Sequence, residues 1–150
     1  MPSGVRAAAA PASGPDVQID PADQPHLKAG LWQFLIGRDG GKPDATTLCL
    51  SGKATAMPHL PSCFTPLNLK RTFQGAYVMD ATCATPDFTI VAHAVLTGDA
   101  GSKISSDEAT TTTTPTGPTT RGTMHTDAHY VGPCALGQKP DDVGGPSGGG

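Results

Sequence analysis

Apolar and polar residues alternate with a period of two along much of the chain. The clearest run is 88–97. There Phe88, Ile90, Ala92, Ala94 and Leu96 face one way, and Thr89, Val91, His93, Val95 and Thr97 the other. Residues 76–83 repeat the pattern, with Tyr77, Met79, Ala81 and Cys83 against Val78, Asp80 and Thr82. Residues 29–36 set Trp32, Phe34 and Ile36 against Leu31, Gln33 and Leu35. Residues 67–73 put Leu67, Leu69, Arg71 and Phe73 on one face. Residues 46–51 read as a short strand, and 103–113 and 119–131 as Thr-rich strands, because Thr suits a pleated surface.

Turn signals separate these runs. They are Asp39-Gly40-Gly41, Gln74-Gly75, Pro86-Asp87, Gly98-Asp99-Ala100-Gly101 and Pro115-Thr116-Gly117-Pro118. Pro58, Pro61 and Pro66 make 53–66 a loop. No useful helical period appears. Strands recurring about every 10–15 residues predict an all-β fold, an antiparallel meander forming a small barrel or a strongly curved sheet. The Thr110–Thr114 run is expected in an edge hairpin with a polar face, in preference to a flexible or glycosylated linker.

Composition sets the boundaries. Of 34 Gly and Pro residues, 15 fall in 1–25 and 137–150. Both stretches are expected to be disordered, and 26–136 to be a single β-domain. Only seven aromatics are available, so the core must draw on aliphatic residues and Ala. The apolar runs are too short for a membrane helix. A net charge of −3, with no basic cluster denser than Lys70-Arg71, argues against nucleic acid as a partner. The opening MPSGVRAAAAPASG has a positive charge, an alanine run and Ala10-Pro11-Ala12, the small-residue pattern around a signal-peptide cleavage site. It lacks an apolar h-region. The expectation is a signal-peptide remnant on an exported protein.

The cysteines are Cys49, Cys63, Cys83 and Cys134. An even count in a short chain with few aromatics points to disulfides and an oxidising compartment. Three connectivities are open. Meander order favours the nested one, Cys63–Cys83 within Cys49–Cys134. The competing reading is a Cys/His zinc site, since His59 lies four residues before Cys63, but the cysteines are too dispersed for it. His125 and His129 have the metal spacing of a helix. In a strand they stand about 13 Å apart, too far for one ion. No metal and no cofactor are expected.

Catalytic motifs are missing. There is no G-x-S-x-G, P-loop or dinucleotide fingerprint. The one glutamate, Glu108, reads as lying in a polar turn, and so do most of Asp87, Asp99, Asp107 and Asp127. Asp80 is expected to point outward, and His93 to be a hydrogen-bonded sheet residue. A hydrolase would require His93, Asp80 and a hydroxyl gathered in a concave pocket.

The residues resemble a known family. HLKAGLWQF is similar to the K-P-G-L-W-E start of the domain of unknown function 3617 family of exported bacterial proteins. Thr47-Leu48-Cys49, Cys63, Met79-Asp80-Ala81-Thr82-Cys83 and the closing Gly132-Pro133-Cys134 follow that family's order. Ala29 and Gln33 depart from its usual Pro and Glu. The likeness spans about 27–134 and implies a small secreted or periplasmic β-rich protein, with no activity attached.

The chain is therefore expected to be a non-catalytic, disulfide-stapled envelope domain that acts by binding or by structure. One alternative is a barrel binding a small apolar ligand through Trp32, Phe34, Tyr77, Met79, Phe88 and Ile90. The simpler assignment makes these residues the core. A protein partner on the Thr-rich edge is the other expected mode.

Overall fold

A computed structural model describes residues 16–57, 60–65 and 67–140. Eight strands form one antiparallel sheet: β1 Val17–Ile19, β2 Gly30–Arg38, β3 Asp44–Leu50, β4 Leu67–Arg71, β5 Tyr77–Ala84, β6 Thr89–Asp99, β7 Lys103–Thr113 and β8 Thr120–Gly132. Their spatial order is β1-β4-β5-β6-β7-β8-β2-β3. From β4 to β8 the chain meanders. The β2–β3 hairpin then packs beside β8, so an early segment pairs with the last.

The sheet is not closed, yet it must curl. A flat eight-stranded sheet would be about 34 Å across. Even so, one buried cluster joins Leu50 near one edge to Leu69 near the other, through Trp32, Phe34, Met79, Leu96, Ile104 and Ala128. With no α-helix among the described residues to cover it, a face buried this fully must curl over itself. Leu27, Ala54, Ala56 and Met57, from the segments flanking the β2–β3 hairpin, complete this cluster, and the Leu27 N–H donates to the Ala54 carbonyl at 2.9 Å. A smaller cluster of Phe64, Ala81, Cys83 and Ala92 holds the 60–65 loop on β5 and β6. Small side chains on those strands let the loop approach closely.

Trp32 centres the larger cluster and is fully buried. Its indole N–H donates to the Lys28 carbonyl at 2.8 Å, which satisfies the polar end of the ring. Tyr130 meets it edge-on, with ring centroids 6.0 Å apart. Tyr130 also explains the glycine before Leu31-Trp32. A Cβ on Gly30 would lie 2.4 Å from the Tyr130 ring, and Gly30 has a φ of +139°.

Two disulfides staple this frame, Cys49–Cys134 and Cys63–Cys83, the nested pattern. Cys49–Cys134 ties β3 to the segment after β8, and Cys63–Cys83 ties the loop to β5.

Several expectations need correction. Residues 16–25, assigned to a disordered leader, carry β1, which pairs with β4, and a 3₁₀ turn at Pro21–Asp23 capped by Asp20. Three residues are too few to show a period. Of the rest of the two expected disordered tails, 137–140 carry no strand or helix, and 1–15 and 141–150 lie outside the described residues. Thr110–Thr113 lie not on an edge but in β7, flanked by β6 and β8. The sheet edges are β1 and β3. Phe73 is 52% exposed, because β4 ends at Arg71 and Phe73 enters the following turn. Glu108 and Asp107 sit in the middle of β7, within the run 103–113 read as a strand, rather than in a turn.

Candidate functional site

The outer face of the sheet carries a hydrogen-bonded cluster of titratable groups with a cavity beside it. The alternation that buries Ser106, Met124, Thr126 and Ala128 turns Asp107, His125 and Asp127 outward. Asp107 stands directly across from His125 in the β7–β8 pairing, and Asp127 is two residues further along β8 on the same face. His125 Nδ1 lies 2.6 Å from Asp107 Oδ1, and its Nε2 lies 2.9 Å from Asp127 Oδ2.

Carboxylates only accept hydrogen bonds, so two such contacts need two N–H donors. The pair of contacts favours the imidazolium form of the ring. The hydrogen bond to Asp107 leads in raising the His125 pKa, and Asp127 adds to it, while burial opposes both. For Asp127, burial alone would raise the carboxyl. Hydrogen bonds from Ser105 and His125, with the charges of His125 and Lys103, outweigh it and hold the group below its usual range. With both nitrogens engaged, His125 offers no lone pair to a proton in transit or to a metal. It is a clamp between two strands.

A groove of about 450 Å³ lies over this cluster. It runs from His93 and Val95 on β6, past Asp107 and His125, to Leu35, Gly37 and Pro43 around the β2–β3 hairpin. The hairpin is fixed in place. Asp39 and Gly40, the central turn residues, both have positive φ, at 52° and 75°. Asp39 also anchors the turn to β8, since its carboxylate accepts from the Thr123 N–H at 2.9 Å.

The second His–Asp pair is His93 and Asp80, joined at 2.6 Å between Nδ1 and Oδ1 across the β5–β6 pairing. Strand alternation makes both outward, as expected, and brings together the two residues a hydrolase would use. The cross-strand neighbour of His93 on its other side is Ala109, with Thr123 one strand beyond. The side chain directly across from His93 on β7 is thus a methyl group.

On the inner face, Glu108 lies between Ala94 and Met124, half-buried. Burial raises its pKa, and the Arg38 cation partly offsets that. Arg38, Glu108, Thr110 and Gly122 line a second, shallower opening of about 300 Å³.

The apolar residues expected to line a ligand cavity go elsewhere. Trp32, Phe34 and Met79 are buried in the larger cluster with Tyr77 packed on it, while Phe88 and Ile90 pack on the smaller one. None of the six lines the outer groove. His129 lies on the same outward face as His125, four residues along β8, and makes no shared site with it. Among the described residues no set of three His, Cys, Asp or Glu side chains is placed to hold a metal ion. His59 is outside the described residues, and Cys63 is in a disulfide.

The Asp107–His125–Asp127 cluster was not found from sequence. Alternation alone puts each residue on an outer face, but the pairing depends on the β7–β8 register across the 114–119 connection.

No family model matches the chain, and comparison with curated proteins and with solved structures finds no match. No helix among the described residues is long and apolar enough to cross a membrane.

Proposed function

We propose that this chain is an exported β-domain, periplasmic or secreted, that acts by binding rather than by catalysis, with the outer groove as its ligand seat. The observation that carries the reading is the Asp107–His125–Asp127 clamp beneath that groove. It fixes charged groups in a rigid wall and leaves the imidazole no catalytic nitrogen. A groove of about 450 Å³ is in the range of small-molecule sites. Export is supported by two disulfides, which persist in oxidising compartments. The leader-like N-terminus and the resemblance to the exported domain of unknown function 3617 family point the same way. The Asp80–His93 pair favours a hydrolase as the second reading, though the residue directly across from His93 on β7 is Ala109 and carries no nucleophile.

The test is titration with N-phenyl-1-naphthylamine, a neutral apolar dye small enough for the groove, followed by amide chemical shifts. Shifts at Leu35, Val95, Thr123 and His125 are expected, with enhanced dye fluorescence. Dye binding elsewhere, or none, overturns the reading. Hydrolysis of nitrophenyl esters that is lost in His93→Ala would replace it with the second.

A further inference from the structure

Charge and shape in the outer groove select a class of ligand. Two acids, Asp107 and Asp127, and two histidines, His93 and His125, face it from the outer side of the sheet, Glu108 being turned to the inner face, and its lining contains no Lys or Arg. The clamp itself carries two carboxylates against one imidazolium, so it is net negative. Asp80, hydrogen-bonded to His93, adds a further carboxylate at the β5 side. The Lys103 cation acts on Asp127 of the clamp and stands outside the lining.

Apolar side chains are interleaved with these charges by the strand register. Val95 is directly across from Asp107 on β6, and Leu35 directly across from Asp127 on β2. Leu35 is 36% exposed, an aliphatic side chain turned away from the core. Ala109 and Pro43 extend the apolar floor to either side. Each carboxylate is thus within one strand spacing, about 4.8 Å, of an aliphatic contact.

We infer that the groove takes a small amphipathic cation, an amine or quaternary ammonium with a short apolar tail. The cationic head lies against Asp107 and Asp127, and the tail lies over Leu35, Val95 and Ala109. This rests on the groove being the ligand seat. Each carboxylate is about half exposed or more, so each contributes modestly. Two acting together give a preference of about tenfold over a neutral ligand of equal size.

The experiment compares hexyltrimethylammonium, hexanol and hexanesulfonate on the full chain, read by amide shifts at Leu35, Val95 and Asp107. The cation is expected to bind about tenfold tighter than hexanol, and the sulfonate more weakly than either. Raising the salt from low to several hundred millimolar should erase most of the cation's advantage and leave hexanol unchanged. Asp107→Asn/Asp127→Asn should abolish the preference, while Asp87→Asn, at a turn outside the groove, should keep it. The salt series needs no variant, so it decides the matter even if the double variant is poorly folded. Equal binding of cation and hexanol overturns the charge assignment but spares the groove as a seat. Shifts confined to other surfaces overturn both.

Discussion

Asp107 and His125 face each other across the β7–β8 pairing with 2.6 Å between carboxylate and imidazole, in the middle of two of the longest strands. The contact makes stability depend on pH with a definite sign. The folded pKa of His125 is raised from its usual 6.5. Its contribution is therefore complete below about pH 6.5, the unfolded value, and is lost as pH rises through the folded value. Asp127 has a lowered folded pKa, so its contribution is present above the unfolded value and lost as acid takes the pH through the folded one. The unfolding midpoint of the native chain should fall from neutral to alkaline pH. His125→Gln should be less stable at pH 6, and the gap should narrow as pH rises. A constant gap would show that the two carboxylates do not hold a charged ring.

Reduction should be severe, and unequal for the two bridges. Cys49–Cys134 closes a loop of 85 residues and Cys63–Cys83 one of 20. Loop-closure entropy gives roughly 4–5 kcal/mol for the first and about 3 kcal/mol for the second. Thiol titration in denaturant should find no free cysteine. Cys49→Ala/Cys134→Ala should lower the unfolding midpoint more than Cys63→Ala/Cys83→Ala. The reverse order would mean that the 60–65 loop, rather than the early–late tie, is the weak point.

The sheet itself was legible because its strands obey a strict period of two. Trp32 and Phe34, Met79 and Ala81, and Ala92, Ala94 and Leu96 are all buried as their alternation predicts. Alternation is a local property, and what it could not supply was lateral order. Nothing in residues 29–36 announces that they lie beside 124–132, yet that pairing places Leu35 across from Asp127 and creates the groove. The same limit hid the central position of the Thr-rich β7. Val17–Ile19 escaped because their pairing is with a strand about fifty residues away.

Gly30 should not tolerate even one extra carbon. A Cβ there would fall 2.4 Å from the Tyr130 ring and 2.9 Å from the Gly132 carbonyl oxygen, and the φ of +139° is unfavourable for any side chain. Gly30→Ala should cost about 2–4 kcal/mol, the sum of backbone strain and a displaced ring. Trp32 fluorescence should report it, because the ring packed edge-on against the indole must move. Adding Tyr130→Ala should recover part of the loss, a coupling of the kind a double-mutant cycle measures. Strict additivity would mean that backbone strain accounts for the whole effect.

Thr126 offers the opposite sign. It is 2% exposed, between Ile36 and Ser106 on the inner face, and among the described residues its hydroxyl has no hydrogen-bond partner. Burying an unsatisfied hydroxyl costs on the order of 1–3 kcal/mol. Valine has the same branched shape without the oxygen, so Thr126→Val should stabilise the fold by about 1 kcal/mol. That would raise the unfolding midpoint by about 3–5 °C. Thr126→Ser keeps the hydroxyl and removes a buried methyl, and should destabilise by about 1 kcal/mol. The pair of variants separates the two halves of the side chain in one place. Should valine lower the midpoint as serine does, the hydroxyl must be satisfied by a water shared with Ser106, and the row Ser106–Thr126 would be a hydrated seam in the inner face rather than a dry one.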